Sequence, residues 1–135
     1  MKKIGMISVF LAGSISYSFD TTHLQSLLDS KVCPANANLV GALLTGGSFV
    51  GVDFSNADLR GAYLDECDLS GAIFSAADLT GAHFEKSNLS GVNFSGAIVR
   101  GAIFEDADLS GALWVDGSTC LAGSIGECVL TSTAL

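Results

Sequence analysis

A large apolar residue returns at every fifth position from Leu39 to Trp114, sixteen times without a break. Two places before each stands a small residue, most often Ala, as at Ala37, Ala42, Ala57, Ala62, Ala72 and Ala77. A repeat this regular constrains the fold before any other feature does. A period of five suits neither regular element. On an α-helix a step of five advances about 140° past a full turn, so the large residues would wander around the cylinder. On a continuous strand an odd step sends successive side chains to opposite faces. Both problems vanish if the chain turns a corner within each pentad, so that every large residue faces one shared interior. Four short sides then make a square coil of about twenty residues, and coils stack at the strand spacing of about 4.8 Å. The period alone does not choose four sides over three.

The pentads Ala57-Asp58-Leu59-Arg60-Gly61, Ala77-Asp78-Leu79-Thr80-Gly81 and Ala107-Asp108-Leu109-Ser110-Gly111 look like the A-(D/N)-L-x-G motif of pentapeptide repeat proteins. From about Asn36 to Asp116 the chain resembles that family. The resemblance implies an all-β solenoid, a right-handed quadrilateral β-helix of about four coils, and so supplies the four-sided choice. Stacking by twenty then gives four interior columns. One holds Leu39, Leu59, Leu79 and Val99, and the next Leu44, Leu64, Phe84 and Phe104. The third holds Phe49, Leu69, Leu89 and Leu109, and the fourth Phe54, Phe74, Phe94 and Trp114. Glycine recurs every ten residues from Gly41 to Gly111, while corners between carry side chains such as Asn56, Glu66, Ala76, Lys86 and Asp106. That alternation predicts two turn types, glycine corners at positive φ and intervening corners in a turn that tolerates side chains.

The flanks divide the chain into four parts. Lys2 and Lys3, the apolar run Ile4 to Ala12 and small residues ending at Ser16 and Ser18 read as a bacterial Sec-type signal peptide, residues 1–18. The run is too short for a membrane anchor, which needs about 20 apolar residues. Residues 19–35 read as a capping helix, with Thr22 and Gln25 as a capping box, Leu24, Leu27, Leu28 and Val32 on one face, and Pro34 as the stop. A coil with an open end exposes strand edges and core side chains, so a lid is expected there. The coil occupies 36–116, and 117–135 form a C-terminal tail. In an exported chain the spacing of Cys120 and Cys128 reads as a local disulfide securing that tail. The tail, and the segment from Phe19 to Cys33, are similar to those of small exported pentapeptide repeat proteins. Cys67 takes an inward small-residue position and is expected to be buried and reduced, while Cys33 finds no obvious partner.

The full chain carries 14 acids against 6 bases, and loss of Lys2 and Lys3 would leave four bases and a net charge of about −10. That sign disfavours phosphate-mediated binding of nucleic acid. One side concentrates the acids: Asp65, Glu85 and Glu105 share a column, and the outward column beside them holds Leu43, Tyr63, His83 and Ile103. On the two sides that end in glycine the equivalent place is usually Asp or Asn, as at Asn38, Asp58, Asp78, Asp68, Asn88 and Asp108. An apolar strip rimmed by acids is the candidate contact surface, and a basic protein partner suits it. Solvent suffices to offset the acidic column, and no loop folds back to complete a six-oxygen cation shell. No metal, cofactor or membrane insertion of the mature chain is expected. Cysteine spacing suits no zinc site.

Catalytic machinery is not expected either. Histidine occurs only at His23, on the helix, and His83, on the coil; the many serines fill turn positions without a base at hand. The reading is therefore a periplasmic or secreted, non-enzymatic structural or protein-interaction module. The alternative comes from resemblance to longer family members that protect DNA gyrase by imitating acidic duplex DNA. Against it stand the export signal and the length, since four coils span only about 19 Å.

Overall fold

In a computed structural model, residues 19–130 are described. The signal-peptide reading of 1–18 and the last five residues of the tail lie outside them. The helix α1 spans Thr21–Ser30. Beyond it, parallel bridges join residues twenty apart, from Asn38↔Asp58 through to Asn93↔Leu113. One circuit of the coil therefore takes twenty residues. Each large residue from Leu39 to Phe94 donates its N–H to the circuit ahead, as Leu39 does to the Asp58 carbonyl at 2.8 Å. Each outward residue donates to the circuit behind, as Asp58 does to the Ala37 carbonyl at 2.8 Å. All side-chain traffic then follows from the corners.

The corners share one plan. The carbonyl of the large residue accepts from the N–H three residues on, for example Leu39 from Ala42 at 3.0 Å and Phe54 from Ala57 at 3.0 Å. Leu64 is the exception: the Cys67 N–H goes to the Ser87 hydroxyl at 3.1 Å, and that hydroxyl donates to the Leu64 carbonyl. The third residue of the turn stands at positive φ, whether it is Gly61 at 64°, Glu66 at 56°, Ala76 at 57° or Lys86 at 60°. The expected alternation of turn types is thus overturned. All corners from Asn36 to Gly111 must bend the chain in one sense, and one backbone conformation repeats. A Cβ added at Gly61 or Gly71 meets nothing within 4 Å, so φ alone, not crowding, favours glycine there. Gly47 is a different case, because a Cβ would lie 2.4 Å from the Phe49 ring.

The interior columns pack as the stacking requires. Phe54, Phe74 and Phe94 stack, with centroids 4.8 Å and 5.6 Å apart, and Phe84 stacks on Phe104 at 5.2 Å. Residues ten apart meet edge to face across the axis, as Phe74–Phe84 at 5.8 Å and Phe94–Phe104 at 5.9 Å. Such pairs add to plain burial. Ala37, Ala42, Ala62, Ala72 and Ala77 are fully buried beside them. Cys67 is buried with a free thiol, which donates to the Leu44 carbonyl at 3.0 Å. Burial pushes that thiol up to about 11, so it stays protonated.

α1 lies against the first circuit through Leu24 and Leu27, which join the core. Its N-cap is Asp20, not Thr22: the Asp20 carboxylate accepts from the Thr22 N–H at 2.8 Å and the His23 N–H at 3.3 Å. The choice is tertiary, since the Asp20 N–H is itself fixed by the Asn38 carbonyl at 2.9 Å. Gln25, expected in the capping box, instead bonds Asp29. The helix ends at Lys31, in the left-handed region at φ 58°, before Pro34 can act. Val32 therefore falls off the apolar face and is exposed.

At the other end the tail reverses direction. Antiparallel bridges Asp108↔Ile125 and Leu113↔Thr119 lay it along the last circuit. Leu109 donates to Ser124 at 2.8 Å, and Gly111 to Cys120 at 3.0 Å. Val99 and Phe104 find no acceptor for their N–H groups among the described residues and remain half-buried.

Candidate functional site

The outward residues divide into two kinds. Asp and Asn do a local job: Oδ1 of the outward residue accepts from the N–H two residues on. Asp53 holds Ser55 at 2.9 Å, Asp78 holds Thr80 at 3.0 Å, Asn93 holds Ser95 at 2.9 Å and Asp108 holds Ser110 at 3.0 Å. Asp58 does the same for Arg60 and pairs with its guanidinium at 2.7 Å. These Asx bonds fasten each side to its own corner. They also hold carboxyls below the usual range: Asp53 and Asp108 chiefly through side-chain hydrogen bonding to Ser55 and Ser110, Asp58 through Arg60. The meaning of Asp or Asn in the repeat motif was missed from sequence, although its offset of two from a Ser, Thr or Arg was there to be read.

The second kind is the strip Leu43, Tyr63, His83 and Ile103. Parallel bridges join all four in one ladder. Leu43 is 57% exposed, Tyr63 40% and Ile103 38%. Tyr63 stacks on His83, centroids 4.7 Å apart and planes 12° apart. The acidic column beside the strip does not behave as one unit. His83 Nδ1 approaches Glu85 Oε1 at 3.4 Å, and donor atoms of Asp65, His83 and Glu85 all lie within 4.8 Å of one another. Glu105, one circuit further, stands exposed and outside that group. Burial, and then the facing Glu85, raises the Asp65 carboxyl, whereas Glu85 is lowered, chiefly by hydrogen bonding with Asp65.

Elsewhere the side chains do structural work. His23 Nδ1 accepts from the Asn38 N–H at 3.0 Å and ties α1 to the coil. Cys120 and Cys128 stand within bonding distance, Sγ to Sγ 2.01 Å and Cα to Cα 5.0 Å. Cys33 and Cys67 are free.

A coil of twenty-residue circuits, cornered at every fifth residue and filled along its axis, defines the class of pentad β-solenoids. The sequence profile of the pentapeptide repeats, eight copies, matches residues 37–75 and 72–111. The chain belongs to the pentapeptide repeat family. Members fold as right-handed quadrilateral β-helices and are generally structural or interaction modules. Among solved structures, a pentapeptide repeat protein of the Arabidopsis thaliana thylakoid lumen is 37% identical, over 64% of this chain and 62% of its own, with a TM-score of 0.47. HetL, a pentapeptide repeat protein involved in heterocyst differentiation regulation in the cyanobacterium Nostoc, is 34% identical over 62% of this chain and 52% of its own, TM-score 0.39. The matched region thus spans less than two thirds of either protein. QnrB1, a plasmid-mediated fluoroquinolone resistance protein, is 20% identical over 62% of this chain and 63% of its own, TM-score 0.27. No curated protein sequence matches the chain.

Proposed function

We propose that the chain is an exported, non-enzymatic interaction module that offers the Leu43–Ile103 side to a basic protein partner. In this reading residues 36–116 form about four coils, α1 within 19–35 closes one end, and 117–135 close the other. The division among outward residues carries the proposal. Asp and Asn on neighbouring sides are committed to their own corners, while Leu43, Tyr63 and Ile103 make no such bond and stand in one exposed strip. Asp65, Glu85 and Glu105 rim that strip, and the formal net charge is −8. Rim charges of one sign favour a partner of the other and oppose a second acidic copy.

Export is supported by the pattern of residues 1–18 and by the nearness of Cys120 to Cys128, a pairing suited to an oxidising compartment. Among the described residues no helix is long and apolar enough to cross a membrane. The gyrase-protecting alternative is less favoured, since the acidic column runs beside an apolar strip unlike a phosphate surface. The test is affinity capture with the processed protein from a periplasmic extract, wild type against Tyr63→Thr/Ile103→Thr. A partner lost only in the variant, with mass spectrometry showing a chain that begins at Phe19 and a Cys120–Cys128 peptide, is the expected result. Equal capture by both removes the strip from the proposal. An unprocessed cytoplasmic protein removes export.

A further inference from the structure

We propose that Asp65, His83 and Glu85 form a binding site for one divalent transition-metal ion of the zinc class. The proposal stands whether or not the neighbouring strip binds a protein. It starts from register. Asp65 and Glu85 are one circuit apart and so stack, and His83 lies two residues before Glu85 in the outward place that Asp or Asn fills on other sides. Imidazole cannot make the Asx bond to its own corner. It turns instead toward Glu85, at 3.4 Å, and the stacked Tyr63 ring holds its plane.

The three donors match a borderline ion. Ligands about 2.0–2.2 Å from a tetrahedral zinc lie about 3.3–3.6 Å from one another. The His83–Glu85 approach is already of that size, and the widest separation, within 4.8 Å, closes by a side-chain shift of about 1 Å. Three protein donors leave a fourth place for water. Calcium, with six to eight oxygens, and magnesium, with a rigid octahedron, fit this set poorly.

An independent observation points to a ligand. Asp65 Oδ1 and Glu85 Oε2 are shut off from solvent, and no N–H or hydroxyl donor reaches either atom. A carboxylate oxygen in that state is costly, and two of them facing one another more so. A cation seated among the three donors engages both carboxylates at once.

The experiment is calorimetric titration of zinc chloride into the chelator-treated protein, with calcium and magnesium chlorides as comparison. One zinc per chain is expected, with affinity at least tenfold weaker in His83→Gln and Glu85→Gln and unchanged in Glu105→Gln. Zinc should also raise the melting temperature of the wild type and of Glu105→Gln, but not of His83→Gln. Binding that survives His83→Gln, as it would if Cys33 held the ion, overturns the proposal. So do equal responses to calcium, or an absence of saturable zinc binding, which would leave a proton-sharing carboxyl pair.

Discussion

The sides that carry Asp or Asn outward and the Leu43–Ile103 side are built on one backbone and differ in what the outward residue is asked to do. Where it is Asp or Asn, its oxygen returns to the N–H two residues on and the side chain becomes part of the corner. Where it is Leu43, Tyr63, His83 or Ile103, the corner closes without it and the residue is free to face outward. A repeat motif read as a uniform surface is thus two surfaces. One is consumed by the fold, and the other is available to a ligand or partner.

The comparison depends first on register, and the largest effect tests it. Ala77→Lys drives a charge into a fully buried axial position, and a loss above about 4 kcal/mol, enough to prevent folding, is expected. Asp78→Lys, one residue on, stays at the surface, removes the Asx bond with the Thr80 hydroxyl contact and the long pairing with Arg60, and should cost about 1–2 kcal/mol by circular-dichroism melting. Comparable losses would mean that inside and outside have been confused.

The corners provide a middle-sized test. Lys86 and Glu66 stand at φ 60° and 56°, where a side chain is strained. Lys86→Gly should raise stability by up to about 1 kcal/mol, and Gly71→Ala, at φ 67° with open space around it, should lower it by about 1 kcal/mol. Opposite signs at the two positions would sharpen the view that one turn type serves all corners. A neutral Gly71→Ala would break it.

Acid titration gives the smallest effects, with opposite signs on the two surfaces. Asp108 is held below its ordinary value, so its contribution is present above the unfolded-state pKa and is lost as the pH falls through the lower folded one. Asp108→Asn keeps an acceptor, as Asn88 and Asn93 do naturally, and should flatten that acid loss with little change at neutral pH. Asp65 is raised, so its folded form gains as the pH falls through that raised value and is penalised above it. Asp65→Asn should therefore raise the melting temperature at pH 7 and do so less toward pH 4.

Much of this was legible in the sequence, for definite reasons. Period, interior columns and the shared ladder of Leu43, Tyr63, His83 and Ile103 follow from counting by five and by twenty, which the bridges obey. The backbone at Glu66, Ala76 and Lys86 was not, because residue type reports tolerance of positive φ and not its occurrence. Nor was the helix start. Asp20 and Thr22 are both good caps by type, and the contact of Asp20 with Asn38 decides between them. Counting places His83 in its column, but its stack on Tyr63 a full circuit away and its approach to Glu85 are matters of side-chain orientation that the pattern does not carry.

The division of labour between the two surfaces is the central claim, and paired melting curves test it most directly. Asp58→Ala/Asp78→Ala removes two Asx bonds together with the side-chain contacts to Arg60 and Thr80, and Leu43→Thr/Tyr63→Thr alters two exposed strip residues while keeping β-compatible side chains. At about 1 kcal/mol per bond, the first variant should melt several degrees below wild type. The strip variant should melt within about 2 °C of wild type, since exposed substitutions change stability by about 0.5 kcal/mol at most. A strip variant that melts as low as the Asp variant, or an Asp variant indistinguishable from wild type, would contradict the account.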